Sequence, residues 1–97
     1  MSTLVLLEAT AKAGKVGELF ALFRRELPAT RAHEGCHDVT AHQKTDDENC
    51  VVLVEHWDSP EHYQKYLAWR EETGVLGAMA ALLDGPPNIR FFEASDA

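Results

Sequence analysis

The sequence predicts an α+β fold of the ferredoxin-like class, a four-stranded antiparallel sheet whose strands and helices follow the order β-α-β-β-α-β. Two helical patterns, at residues 16–27 and 63–83, alternate with segments of strand composition. The apolar run at residues 50–57 is followed closely by Ser59 and Pro60, an N-cap with proline at the first helical position. Such a junction is typical of a strand that ends where a helix begins.

The first half of the chain is predicted to form a strand, a helix and a strand. Residues Thr3–Thr10 are rich in Leu and Val, and the turn-like residues 12–15 follow them. The next helix is expected to end near Pro28 or to continue for a turn or more, and Gly35 ends that segment. Cys36–Lys44 is predicted to form the second strand. The apolar face of the helix repeats at steps of three and four through Val16, Leu19, Phe20, Phe23 and Leu27.

The second half is predicted to form a hairpin, a helical region and a last strand. The polar residues Thr45–Asn49 indicate a loop of about five residues between strands two and three, which are therefore antiparallel neighbours. The second helical pattern pauses at Gly74, so we expect one kinked helix or two short ones. Asn88–Glu93 is predicted to form the fourth strand. The chain, 1–97, is predicted to be one domain with a polar tail at 94–97.

Composition and charge exclude several classes of function. Nine basic and sixteen acidic residues give a formal charge of −7, which disfavours binding to nucleic acid or to anionic membranes. No secretory leader is recognisable, so we expect a cytoplasmic protein in which Cys36 and Cys50 are reduced. Motifs that bind dinucleotides, nucleotide phosphates or zinc do not occur in the sequence. We therefore predict neither a cofactor nor a metal ion.

The third strand is apolar on both of its faces, because Val51 and Leu53, which point to one side, alternate with Val52 and Val54, which point to the other. A strand that is covered on both faces has this pattern. In the ferredoxin-like arrangement the helices cover only one face of the sheet, so a second copy of the chain is expected to cover the other. The sequence thus predicts a homodimer with two sheets packed face to face.

Pairing of strands two and three predicts which side chains share a face of the sheet. If Lys44 lies opposite Cys50, the pairing of the remaining residues follows, and a slip of one residue would exchange the two faces. The pairs that face the helices are then Ala41–Leu53, Val39–Glu55 and His37–Trp57. The pairs that face the partner chain are His42–Val52, Thr40–Val54 and Asp38–His56, the last of which is expected to be a salt bridge.

On this register a pocket between the sheet and the second helical region is predicted to be aromatic with few polar groups. Such a lining suits a small, flat phenolic molecule, which stacks on aromatic rings and needs one or two directed hydrogen bonds. The lining residues are predicted to be His37, Val39, Leu53, Glu55, Trp57, Tyr63, Tyr66 and Met79.

Four side chains of this pocket are candidates for catalysis, and each has a structural alternative. His37 suits a general base by its ordinary pKa, but a histidine at a strand end is also often bonded to a carbonyl or to water. Glu55 is either a base with a raised pKa or a residue held by an amide or an arginine. Trp57 and Tyr63 are either core side chains or groups that stack on and hydrogen-bond a ligand. The histidines interpreted as surface or interface residues are His33, His42 and His62.

These residues resemble the antibiotic biosynthesis monooxygenase family, whose members form dimeric α+β barrels. The similarity extends from the first strand to Phe92. It implies the ferredoxin-like fold and a homodimer, while the reactions of the family include oxidation of anthrones and quinols, heme degradation and isomerisation. The matching residues are Glu34-Gly35-Cys36, Glu55 and Trp57 after an apolar strand, the helix start Ser59-Pro60-Glu61 and the final Gly85-Pro86-Pro87.

Two branches of that family can be compared residue by residue. The anthrone-type members oxidise phenolic polycyclic compounds with dioxygen and without metal or flavin. They carry a Trp and a Tyr at the positions of Trp57 and Tyr63, an Asn where this chain has Leu53, and a later Arg for which Arg70 is the candidate. The heme-degrading members use a His ligand where this chain has Leu76, so the resemblance disfavours heme.

Three function classes remain open at this point. The first is a cofactor-independent monooxygenase that oxidises a quinol, an anthrone or a similar aromatic phenol with dioxygen. The second is an isomerase or lyase that uses the same pocket on a small hydrophobic ligand without consuming dioxygen, and the third is a dimeric binding module without chemistry. The first two classes share a base and differ in whether dioxygen is consumed.

Overall fold

The computed structural model describes residues 2–97, which fold in the predicted order of strands and helices. The second helical region consists of two helices, because Gly74 has a left-handed backbone conformation with φ of 83°. Within residues 2–97, no helix combines the length and the apolar character needed to cross a bilayer. The elements are β1 (Thr3–Thr10), α1 (Val16–Arg31), β2 (Cys36–Lys44), β3 (Asp47–Trp57), α2 (Pro60–Glu72), α3 (Val75–Ala80) and β4 (Asn88–Glu93).

The four strands form one antiparallel sheet in the order β2-β3-β1-β4, which confirms the ferredoxin-like fold. Side chains alternate between the two faces of the sheet. On β1, Val5, Leu7 and Ala9 are buried under the helices, whereas Leu4 and Leu6 point to the opposite face and are half-buried. The core therefore lies on one side of the sheet, between the strands and the helices.

The predicted register of β2 against β3 is confirmed over most of its length. Val39 lies opposite Glu55 on the helix side of the sheet. On the other face Asp38 lies opposite His56, and Asp38 Oδ1 is 2.7 Å from His56 Nδ1, as the predicted salt bridge requires. The two-residue period of the strands is sufficient to determine this part of the sheet.

The predicted pair of His37 with Trp57 is wrong. A β-bulge between Cys36 and Asp38 adds one residue to β2, so Cys36 rather than His37 lies opposite Trp57. His37 is exposed, and its Nε2 is 2.5 Å from Asp58 Oδ1. The bulge thus removes His37 from the face that packs on the helices.

The hairpin between β2 and β3 is tighter than the loop of five residues that we expected. Thr45 and Asp46 form the turn, and β3 already begins at Asp47, opposite Lys44. Asp47 Oδ1 accepts the backbone N–H of Asn49 at 3.0 Å, so a polar side chain supports the first residues of the strand. Polar composition alone therefore did not mark the end of the loop.

The start of α2 is held by its cap and by the loop that precedes β2. Ser59 Oγ accepts the backbone N–H of His62 at 3.2 Å, which confirms Ser59 as the N-cap. The carbonyl of Gly35 accepts the backbone N–H of Asp58 at 2.8 Å. Gly35 also lies directly against the His62 ring and has a left-handed φ of 87°. This loop and the start of α2 therefore require a glycine at position 35.

We predict that Gly35→Ala lowers the free energy of unfolding by more than Gly14→Ala does. Both glycines have left-handed φ angles, 87° and 78°, so an alanine costs about 1–2 kcal/mol at either position. At Gly35 the added Cβ would also lie 2.6 Å from the ring of His62, whereas nothing lies within 4 Å of a Cβ at Gly14. Urea unfolding of both variants measures the difference. Equal losses would contradict the docking of this loop on α2.

Candidate active site

Glu55 is a buried acid on β3. Strand alternation places it on the helix side of the sheet between Leu53 and Trp57, and it is only 2% exposed. Its Oε1 accepts a hydrogen bond from Trp57 Nε1 at 3.1 Å. Burial raises the pKa of Glu55 from 4.5 to about 7, and the bond from Trp57 offsets only part of that rise. Glu55 can therefore take up and release a proton near neutral pH.

Tyr63 lies near the start of α2, with its ring packed edge-on against Trp57 at 5.5 Å between the ring centroids. The side chain is fully buried, and its Oη has no hydrogen-bond partner among residues 2–97. Burial, together with the charge of Glu55, raises the pKa of Tyr63 well above its usual range, so the phenol stays protonated. Buried hydroxyl groups are normally satisfied, so this one marks a place where a ligand atom can bind.

Arg70 joins α2 to α1 through a network of buried hydrogen bonds. Its Nε donates to Tyr66 Oη at 2.9 Å, and its Nη2 donates to Thr30 Oγ1 at 3.0 Å and to the carbonyl of Glu26 at 2.6 Å. Its Nη1 donates to Glu26 Oε1 at 3.2 Å, and the guanidinium lies 4.6 Å from the ring centre of Trp69. Most donors of Arg70 are thus bound by α1. Its chief contact with the site is the hydroxyl of Tyr66, which also lies 2.6 Å from Thr30 Oγ1.

A small cavity of about 40 Å³ lies between these groups. It is enclosed by side chains of α1, of the two central strands, of α2 and of α3. Six of the nine residues that the sequence predicted for the site line it, namely Leu53, Glu55, Tyr63, Tyr66, Arg70 and Met79. The other lining residues are Leu7, Leu22, Phe23, Leu27, Leu67, Val75 and Leu76.

Three of the predicted site residues do not line this cavity. Trp57 is fully buried behind it, with ring-centroid distances of 5.5 Å to Tyr63 and 5.0 Å to Tyr66. Val39 belongs to the apolar core under α1, and His37 is exposed on the far side of the bulge. Trp57 therefore acts on the cavity by holding Glu55, while Val39 and His37 contribute no surface to it.

We did not predict that residues of α1, and residues just after it, contact the aromatic side chains of the site. We expected His33 at the surface or at an interface, but its imidazole lies 5.2 Å from the ring of Tyr66 and 5.2 Å from that of Trp69. Thr30 is buried and bonds the Tyr66 hydroxyl. Glu26 and Thr30 are four residues apart, so they lie on one face of α1, and His33 follows shortly after the end of this helix. The two polar residues on one face of the predicted helix were the available signal.

The residues that could serve a metal ion or a thiol mechanism are arranged for neither. In the part of the chain that the structure describes, no three His, Cys, Asp or Glu side chains are grouped to hold a metal ion. Cys36 and Cys50 are unpaired thiols. Burial, with the nearby charges of Glu55 and Asp38, raises the pKa of the Cys36 thiol to about 11, so it is not a reactive thiolate.

The cavity combines a proton acceptor with a hydrogen-bond donor in apolar surroundings. Glu55 in its ionised form can accept a proton, and the hydroxyl of Tyr63 can donate to a negative charge that forms beside it. The largely apolar walls give both groups surroundings of low dielectric constant, which strengthens both interactions. This arrangement can remove a proton from a weakly acidic molecule and stabilise the resulting anion.

Solved structures with this fold come from several organisms. A conserved protein from Methanosarcina mazei has a TM-score of 0.88 and 18% sequence identity, over 98% of this chain and 94% of that one. A protein from Mycobacterium tuberculosis has a TM-score of 0.85 and 18% identity, over 100% and 98%. A protein from Deinococcus radiodurans, provisionally described as an antibiotic biosynthesis monooxygenase, has a TM-score of 0.84 and 23% identity, over 98% and 94%. At these identities the similarity establishes the fold alone.

Similarity of sequence gives the family. None of the curated protein sequences matches this chain significantly. The sequence pattern of the antibiotic biosynthesis monooxygenases, however, matches residues 3–80, a segment that includes every residue lining the cavity. This match spans well over half of the chain. The chain therefore belongs to the antibiotic biosynthesis monooxygenase family.

Proposed function

We propose that this protein is a cofactor-independent monooxygenase that oxidises a quinol, an anthrone or a similar aromatic phenol with dioxygen. The observation that carries the proposal is a buried carboxyl, Glu55, whose pKa lies near 7. It lines a largely apolar cavity together with Tyr63, whose hydroxyl has no hydrogen-bond partner among residues 2–97. The family name supports an oxygenase. The rings of Phe23, Tyr63 and Tyr66 in the otherwise mostly aliphatic lining support a flat, electron-rich substrate.

The proposed reaction needs little from the protein beyond proton transfer and charge stabilisation. Ionised Glu55 takes a proton from the phenol or from its activated methylene, and Tyr63 donates a hydrogen bond to the oxygen that becomes negative. The anion passes one electron to dioxygen, and the two radicals combine to form a carbon–oxygen bond. In an anthrone-type substrate, the peroxide then loses water, so the methylene loses two hydrogens and gains one oxygen, and the second oxygen leaves as water.

An isomerase or lyase would use the same two side chains in the same roles. Glu55 would move a proton between two carbons of the substrate, and Tyr63 would stabilise an intermediate enolate. Such a reaction consumes no dioxygen. A binding module would depend on the shape of the cavity but not on the proton affinity of Glu55. Oxygen uptake with a panel of hydroquinones and anthrones therefore separates the three classes.

We also propose that the protein acts as a homodimer. Members of the family are typically dimeric. The sheet face opposite the helices bears Leu4, Leu6, Val52 and Val54, all half-buried, and Phe92, which is 43% exposed. A contiguous apolar face of this kind supports burial against a second sheet, as in standard subunit interfaces.

We predict that Tyr63→Phe lowers oxygen uptake strongly while leaving the free energy of unfolding nearly unchanged. The hydroxyl of Tyr63 has no partner among residues 2–97, so its removal breaks no internal hydrogen bond. Tyr66→Phe is the matched control, because the hydroxyl of Tyr66 is bonded to Thr30 and Arg70 and its loss should cost about 1–3 kcal/mol. Oxygen-electrode assays and urea unfolding of both variants provide the two measurements.

Two results would contradict the role given to Tyr63. One is an unchanged rate in Tyr63→Phe with a phenol that the wild type oxidises. The other is a loss of stability in Tyr63→Phe as large as that in Tyr66→Phe, which would mean that the Tyr63 hydroxyl has an internal partner.

We predict that rising pH lowers stability between about pH 4.5 and 7 and raises turnover through pH 7. The pKa of Glu55 is about 7 in the folded chain against 4.5 as its ordinary value, so the folded state holds this proton more tightly than the unfolded state does. Between these two pH values the unfolded state releases the proton while the folded state keeps it. The contribution of this proton to the free energy of unfolding, up to about 3 kcal/mol, is therefore fully present below the lower value and is lost as the pH rises to the higher one. Turnover should rise through pH 7 as the base ionises.

Glu55→Gln provides the control for both pH profiles. The amide keeps an oxygen that can accept the Trp57 N–H but does not titrate, so the difference in unfolding free energy between wild type and variant isolates Glu55. The variant should be inactive at every pH. A wild-type profile that runs parallel to that of Glu55→Gln would show that the carboxyl of Glu55 is not the titrating group.

We predict that Leu6→Lys converts the dimer to a monomer. The lysine would place an unpaired ammonium in the centre of the apolar sheet face, where burial against a partner is costly. Gln64→Lys adds the same charge on the exposed side of α2 and should remain dimeric. Light scattering should give twice the mass of one chain for the wild type and for Gln64→Lys. A wild type that is monomeric at micromolar concentration would contradict the proposed assembly.

A further inference from the structure

The cavity lies at the boundary between two parts of the core that differ in chemistry. One part, the aliphatic cluster, contains Leu7, Leu22 and Leu53 and one aromatic ring, that of Phe23, together with other apolar side chains of α1, α3 and the sheet. The other part, the aromatic cluster, consists of Val5, Trp57, Tyr63 and Tyr66. Both clusters contribute side chains to the cavity wall. The cavity thus has an aliphatic end and an aromatic end.

The size of the cavity restricts what it can hold without a change of structure. A volume of about 40 Å³ is enough for a molecule the size of water, which needs about 10–15 Å³ on the same measure. An apolar cavity that is known to bind benzene has a volume of about 150 Å³. A phenolic substrate therefore needs additional space, whereas a diatomic gas fits the cavity as it is.

The aliphatic end of the cavity is a poor site for water. A buried water needs two to four polar partners, and Leu7, Leu22, Phe23 and Leu53 offer none. At the aromatic end, the polar atoms of Arg70 and Tyr66 are bound to α1 and to each other. Glu55 and the Tyr63 hydroxyl are therefore the lining groups that can hold a water, and they hold it at that end. Dioxygen is apolar and needs no hydrogen-bond partner. The aliphatic walls therefore favour dioxygen over water.

We infer that the aliphatic end of this cavity is a preformed binding site for dioxygen, bounded by Leu7, Leu22, Phe23 and Leu53. The inference rests on the proposed oxygenase function and gives its second substrate a location. Glu55 follows Leu53 by two residues on the same face of β3, so a substrate anion formed beside Glu55 lies next to the gas. One electron then passes from the anion to dioxygen by contact, and both atoms of dioxygen are accounted for in the peroxide that forms.

Xenon tests the site without any turnover, because it is an apolar gas that enters dry cavities in proteins. Crystals of the full chain under xenon pressure should show a xenon atom in contact with Leu22 and Leu53. Crystals at ambient pressure should show no ordered water at that position. An ordered water there, or a cavity that stays empty under xenon, would overturn the inference.

A variant in which a larger side chain fills the aliphatic end of the cavity provides a kinetic test of the dioxygen site. Leu22→Phe extends a ring into the aliphatic end, so it should abolish xenon binding and raise the KM for dioxygen several-fold, and by a larger factor than the KM for the phenolic substrate. Leu19→Phe is the matched control, because Leu19 is fully buried in the same cluster but does not line the cavity. An unchanged KM for dioxygen in a folded Leu22→Phe variant that no longer binds xenon would overturn the inference.

The results of these experiments distinguish a failure of the dioxygen site from a failure of the proposed oxygenase function. If no phenol in the panel supports oxygen uptake, the oxygenase function fails and the assignment to dioxygen fails with it. If the enzyme consumes dioxygen but xenon does not enter the cavity of the wild type, the oxygenase function stands and the gas site alone is overturned.

Discussion

The hydrogen bonds of Arg70 determine how the rest of the site is arranged. A buried guanidinium is tolerated only where its donors find acceptors, and these are supplied by Glu26 and Thr30 on α1. The position of α2 against α1 is thereby limited to one that brings these groups together. Tyr66 is held in the same network, so its hydroxyl is already satisfied. Among the polar groups that line the cavity, Tyr63 is left free to bind a ligand.

Glu55 and Arg70 show how two buried ionisable groups receive different roles from their surroundings. Arg70 has an ion pair with Glu26, and its charge is compensated. Among residues 2–97, Glu55 has only the neutral indole N–H of Trp57 as a partner, and this bond compensates little of the cost of burying a carboxylate. The paired group therefore supports the fold, and the group without a countercharge is the one that titrates near neutral pH. In active sites such a perturbed group is where proton transfer is expected.

The sequence predicted the fold and most of the pocket because both depend on regular periods. Alternation along β3 placed Glu55 toward the helices, and the capped start of α2 placed Tyr63 above it. The prediction failed for His37, where a β-bulge interrupts the alternation, since the alternation of side chains does not indicate where an extra residue is inserted. The acceptors of Arg70 were missed because they lie 40 and 44 residues away in the chain.

The small size of the cavity is compatible with a phenolic substrate if α3 is the wall that moves. This helix is short, follows the left-handed Gly74 and contributes only side chains such as Met79 to the lining, whereas the other walls belong to the sheet and to the long helices. Opening at α3 would connect Glu55 to solvent, so that the acid can release the proton that it took from the substrate. Closure would surround the carboxylate with apolar side chains, where its proton affinity is highest. Because the pKa of Glu55 is about 7 in the cavity as the structure shows it, the ionised form is the major one only above that pH, which agrees with a turnover that rises through pH 7.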